Sequence, residues 1–157
     1  MSITEHEIQV AKDLFNIGWS SDDPFGPTYY MTPDVVMRDI ASRPEAIVGT
    51  QAIVDRWKHN AGKMRLPVEE VFVSGDGVMV QWFVYVLRSS GEHEGHWATG
   101  EGVSLLHFRD GLVSHEVDYW HGIQGYCADW EAHFAARTAL GNPARSAVSG
   151  FWNPETL

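Results

Sequence analysis

Cysteine is almost missing from the chain: Cys127 is the single one in 157 residues. One thiol cannot form an intrachain disulfide, and such usage fits a reducing compartment. Positive charge is scarce too. Eleven Lys and Arg stand against 21 Asp and Glu, with 8 His, for a formal net charge of −10. Phosphates attract basic patches, so nucleic acid and anionic membrane are set aside as main partners. No apolar run nears the roughly 20 residues of a membrane span. The opening MSITEHEIQV has no basic segment followed by a long apolar one, so no signal peptide is read and a cytoplasmic protein is expected. Phosphate-cradling glycine loops are absent as well, since Gly100-Glu101-Gly102 lies inside a predicted strand. Pro and Gly are scattered singly, leaving no interdomain linker.

Aromatics, by contrast, are plentiful: seven Trp, seven Phe and five Tyr. The length suits one domain over 1–157, with a core at about 4–122 and a helical tail at 123–157. A domain of this size buries about 70% of its unfolded surface, enough to enclose a cavity. Thr4-Glu5-His6-Glu7 is a capping box, and Ile8, Ala11, Phe15 and Trp19 follow at helical spacing to about Ser20. A broken segment with two prolines leads to a strand at Asp34–Ile40. A helix is read from Thr50 to about Asn60. Four long strands come next, with turn signals at Gly75-Asp76-Gly77 and Arg109-Asp110-Gly111. Trp130 and Phe134 give 128–140 helical character, and the rest reads as irregular. Helix, strand, helix and then a meander is an α+β pattern, with helices packed in the concave face of a strongly curved, mainly antiparallel sheet.

Three strings in this order, TPDVVMRDI, IVGTQAIVDRW and FRDGLVSHEVDYWHG, resemble the NTF2-like superfamily. The likeness is to its SnoaL-like branch, with limonene epoxide hydrolase, the ketosteroid isomerases and SnoaL-like polyketide cyclases. The resemblance implies a cone around a deep apolar pocket, reactions run by general acids and bases, no metal or organic cofactor, and dimers through the outer sheet face. It places Asp118 on the catalytic aspartate of the epoxide hydrolase pattern. It also aligns Asp39 with a pocket-facing polar residue, two after Met37. The pattern's arginine is replaced by Val117 and its last aspartate by His121. The remaining arginine and aspartate fall near Phe83 and Tyr85, which are uncharged. A mechanism with two carboxylates bridged by arginine is therefore not expected.

Strand alternation gives faces independently. Glu116, Asp118 and Trp120 share one side of the last strand. Gln81, Phe83, Tyr85 and Leu87 share a side of the middle strand, with Val80, Trp82, Val84 and Val86 opposite. Small residues beside His96, namely Ala98, Gly100 and Gly102, leave room for a ligand. Asp118 among apolar neighbours suits a general base, because desolvation raises a carboxyl's pKa. The bland alternative is a solvated edge aspartate. Asp39 reads as a second acid/base or as one half of a surface ion pair with Arg38 or Arg43. His96 reads as a proton donor or as a loop histidine. Tyr29, Tyr85, Phe83, Met37, Trp97 and Trp120 are the expected substrate contacts, although aromatics so spaced are often only core. His93 and His96 supply two imidazoles without a third ligand, so no metal is expected. Cys127 has no partner in a nucleophile motif.

The expected function is a cofactor-independent lyase or dehydratase. It would act on a small apolar, hydroxylated, aromatic substrate, with loss of water or a one-carbon aldehyde. An isomerase or cyclase uses the same groups, and a non-catalytic ligand-binding module remains the alternative. A homodimer is expected, because the Val80, Trp82, Val84 and Val86 stripe lies opposite the expected pocket and would otherwise be exposed.

Overall fold

The computed structural model describes residues 2–120 and 122–139. His121 and 140–157, which include the expected irregular end, lie outside the described residues.

Helix α1 spans Glu5–Asp13. Its cap is reciprocal: the Glu7 amide donates to Thr4 Oγ1 at 3.2 Å, and the Thr4 amide donates to Glu7 Oε2 at 2.8 Å. The coil widens into a π-helical turn at Leu14–Gly18, closed by the Trp19 amide on the Leu14 carbonyl at 2.7 Å. Such insertions shift a helix face by one residue and recur at functional sites. Here the turn brings both Phe15 and Trp19 to the inner cavity. A 3₁₀ segment at Gly26–Tyr30 follows, then β1 at Met31–Asp39 and β2 at Ile47–Val48. Helix α2 spans Thr50–Trp57 and packs Ile53 and Trp57 into the core. Strand β3 is Met64–Arg65 and β4 is Val68–Ser74. Strand β5 is Gly77–Leu87, β6 is Trp97–Arg109 and β7 is Leu112–Trp120. The short β8, Gly125–Cys127, precedes helix α3, Trp130–Ala139.

The eight strands form one sheet, ordered β2-β1-β7-β6-β5-β3, with β4 also on β5 and β8 also on β6. All pairs are antiparallel except β1 with β7. The sheet is strongly curled into a half-barrel, giving the expected α+β cone. The β6–β7 turn explains its sequence: Asp110 at φ 55° and Gly111 at φ 77° are the paired positive values of a tight hairpin.

One expectation fails on β5. Val80, Trp82 and Val84 are core residues, with 0%, 3% and 3% exposure, and Val86 packs against them. They face inward, so the stripe that argued for a dimer is the inner wall. Phe83 and Tyr85 face outward instead. They stay buried because α3 lies over them: Phe83 meets Phe134 edge-on at 5.6 Å, and Tyr85 meets Trp130 and His133, each at 5.6 Å.

Candidate active site

The concave face, the π turn and helix α2 line a cavity of about 300 Å³. That is at the small end of ligand pockets and suits one substituted ring. Trp19, Trp57, Trp82 and Trp120 line it, four of the seven tryptophans. Its polar wall comes from register. Asp39 on β1, Asp118 on β7 and Ser104 on β6 stand side by side across three strands. The next row inward is Met37, Glu116 and Leu106. The row on the other side is Trp120, Gly102 and Trp82.

Gly102 corrects a further expectation. A Cβ there would come within 2.7 Å of the Trp82 ring, the Trp120 Cβ and the Tyr119 carbonyl. The space beside Gly102 is taken by the Trp82 ring, the Trp120 Cβ and the Tyr119 carbonyl.

Asp118 lines the cavity and is enclosed by protein on its other sides. Burial pushes its carboxyl up to about 7, and the hydrogen bond from Ser104 pulls it partly back. The direction of that bond is fixed. The Trp82 indole N–H donates to Ser104 Oγ at 2.8 Å, and an indole can only donate. The Ser104 proton therefore points to Asp118 Oδ1.

Asp39 has another environment. Its Oδ1 accepts from the Trp120 indole at 2.9 Å and its Oδ2 from the Ser42 hydroxyl. Arg56 Nη2 lies 3.6 Å from Oδ2 and donates to Ser42 Oγ at 2.9 Å. The Arg56 charge also acts on Asp118. Arg56 thus pairs with Asp39 and acts on Asp118 at longer range. It comes from α2 and not from the middle strand.

Glu116 went unnoticed as a site residue. It is fully buried beneath Asp118, and neither oxygen makes a hydrogen bond of good geometry. Burial first, and then the charge of Asp118, push its carboxyl well above the usual range. Its signal was in the alternation that paired it with Asp118. Ser104 and Arg56 carried no local signal, because only cross-strand register and the packing of α2 bring them in.

Of the expected contacts, Met37 and Trp120 line the cavity with Asp39 and Asp118. The others do not. Tyr29 is 66% exposed and donates to Asp23 at 2.8 Å. Phe83 and Tyr85 lie under α3. Trp97 packs edge-on to Trp130 at 6.4 Å, below the Arg65 guanidinium. His96 is an exposed residue of the β5–β6 loop, near the Glu94 carbonyl at 3.4 Å. The connection spans residues 88–96, is mostly exposed, and contributes no residue to the cavity. Among the described residues no group of three or more His, Cys, Asp or Glu is placed to hold a metal. The His93 ring stacks on Tyr126 at 3.7 Å. No helix among the described residues is long and apolar enough to cross a membrane.

No curated protein matches the chain. Solved structures do. An NTF2-like protein of unknown function from Burkholderia pseudomallei is 18% identical, with a TM-score of 0.61, covering 74% of this chain and 92% of its own. A protein named as a SnoaL-like polyketide cyclase, from Jannaschia sp. CCS1, is 19% identical with a TM-score of 0.61, over 91% of this chain and 99% of its own. An epoxide hydrolase of the limonene type from M. tuberculosis is 13% identical with a TM-score of 0.61, over 74% and 84%. At such identities the likeness is one of fold. The SnoaL-like domain profile matches residues 11–116, most of the chain, ending on the strand that holds Asp118. The chain belongs to the SnoaL-like family, with the NTF2-like fold.

Proposed function

We propose that the protein is a lyase that uses Asp118 to move a proton on a small, flat, hydroxylated aromatic substrate. What supports this is a carboxyl that burial pushes up to about 7, standing in the wall of a cavity lined by indoles. A carrier of apolar ligands gains nothing from three carboxyl groups in its wall, because burying them is costly.

The chemistry balances with one acid–base group. For loss of formaldehyde, Asp118 takes the proton of a hydroxymethyl group. The C–C bond breaks, its electron pair passes to the carbon attached to the aryl system, and the C=O of formaldehyde forms. Asp118 then returns the proton to that carbon. For loss of water, Asp118 takes a proton from the carbon beside the carbinol. A C=C bond forms, and the departing hydroxyl takes the proton. Either route needs a group that is a base before the step and an acid after it, and a pKa near 7 suits both. Asp39, held by Trp120, Ser42 and Arg56, orients the substrate hydroxyl. The same groups would serve an isomerase or a cyclase.

A second reading has its own support. Arg56, paired with Asp39 and acting on Asp118 at longer range, is suited to helping hold a water that opens a strained ring. The test is a panel of aryl alcohols and aryl epoxides at neutral pH. Formaldehyde is trapped as its hydrazone, and alkenes and diols are separated by chromatography. Formaldehyde or an alkene supports the lyase. A diol from the epoxides alone supports the hydrolase. No turnover, with tight binding of both sets, returns the module reading.

The homodimer is kept as a proposal on different residues. Leu105 and Tyr119, 40% and 46% exposed, lie on the outward faces of β6 and β7. Light scattering that gave the mass of a monomer at micromolar concentration would remove it.

A further inference from the structure

Glu116 is the one fully buried charged residue type among the described residues. It stands between Met37 of β1 and Leu106 of β6, and both are apolar. The groups facing it from each packed element can be named. Asp118 is on its own strand, and Asp39 acts from β1 at longer range. The segment after the π turn presents the Trp19 indole. Strand β6 presents Ser104 and Leu106, neither of which titrates in this range. Helix α2 presents Arg56, which is engaged by Asp39 and Ser42 and acts on Asp118. No cation answers Glu116. A carboxylate in that position would be an unpaired buried charge beside another, so the neutral acid is the stable form.

A neutral carboxyl has one hydrogen to donate and oxygens to accept with. The Trp19 N–H has no hydrogen-bond partner of good geometry, and the Glu116 oxygens are the acceptors facing it. With the indole against one oxygen, the Glu116 O–H is left for Asp118. This mirrors the other side, where the Trp82 indole sets Ser104 to donate to Asp118. Two donor-only indoles, one on each flank, thus direct protons toward the same carboxylate.

We propose that Glu116 is a positioning residue, a carboxylic acid that keeps its proton, donates it in a hydrogen bond to Asp118 and so holds Asp118 as the proton acceptor. This rests on the reading of Asp118 as the base, and the test separates the two. Infrared spectra of the whole protein, without substrate, are recorded at about pH 8, where Asp118 is mostly ionised. The wild type should show the C=O band of a protonated carboxylic acid. That band should persist in Asp118→Asn and vanish in Glu116→Gln. If wild type and Glu116→Gln show the same spectrum in that region, the proposal is wrong whatever the protein's activity.

The second arm is the pH profile of turnover. Glu116→Gln keeps both a donor and an acceptor, so the acidic limb should stay in place. Glu116→Leu removes the donor and should move the limb up by about one unit, with fold checked by circular dichroism. A limb that moves down in Glu116→Gln means Glu116 carried charge, which overturns the proposal. Should Glu116→Leu not fold, the Gln variant still decides by both readouts.

Discussion

The two faces of β5 are almost equally apolar and do opposite work. Inward, Trp82, Val84 and Val86 wall a cavity that also holds Asp118 and Glu116. Outward, Phe83 and Tyr85 lie dry beneath α3, where the Tyr85 hydroxyl meets His133 Nδ1 at 2.9 Å. Burial raises the phenol and lowers the imidazole, so a neutral hydroxyl meets a neutral ring. Polar groups on the outer face satisfy one another. On the inner face Asp118 stands in the cavity wall, and Glu116 beneath it lacks a well-formed bond. A closed polar network is structural, and an open one in a cavity is where chemistry is possible.

The sharpest way to break this contrast is Asp118→Asn. It keeps shape and removes the proton acceptor. Turnover should fall by about 10²-fold or more with the fold intact, the scale of one general base. Near-normal turnover would take Asp118 out of the reaction.

Ser104→Ala is the next step down. Ser104 stabilises ionised Asp118, so its loss should raise the acidic limb of the pH profile and cost about tenfold at neutral pH. An unmoved limb would mean the Trp82–Ser104 chain does not act on Asp118.

On the outer face, Tyr85→Phe should lower stability by about 1 kcal/mol, seen as a small drop in denaturant midpoint, and leave turnover unchanged. A large loss of turnover would show that the two faces communicate. His96→Ala, in an exposed loop, should change neither stability nor rate beyond error.

The same contrast explains what could be read in the chain. Element order, both hairpins and the capping box were legible, because each is a local pattern with a local cause. So was the shared face of Glu116, Asp118 and Trp120. The orientation of β5 was not. A strand buried on both sides loses the alternation that marks a face. Its one polar residue was the usable sign: Gln81 lies outward and donates to Glu69 at 2.9 Å, and Phe83 and Tyr85 share its parity. The partners of Asp118 were illegible for another reason. Ser104 and Arg56 arrive from β6 and α2, and no spacing along the sequence encodes that meeting. His96 lies in the exposed loop before β6 and Trp97 at the strand's first position, and neither lines the cavity.

The central claim is that Asp118 titrates near neutrality, and a carboxyl titration followed by carbon NMR tests it without any substrate. A carboxyl raised in the fold favours the protonated state. Its stabilising effect is full below the unfolded value near 3.8 and is lost as pH climbs through about 7. The protein should therefore show one Asp carboxyl with a midpoint near 7, absent from Asp118→Asn. Its thermal midpoint should fall between pH 5 and 8 by more than that of the variant. If every Asp carboxyl titrates in the ordinary range near 4, and wild type and variant lose stability alike, Asp118 is a solvated aspartate and the proposed chemistry has no base.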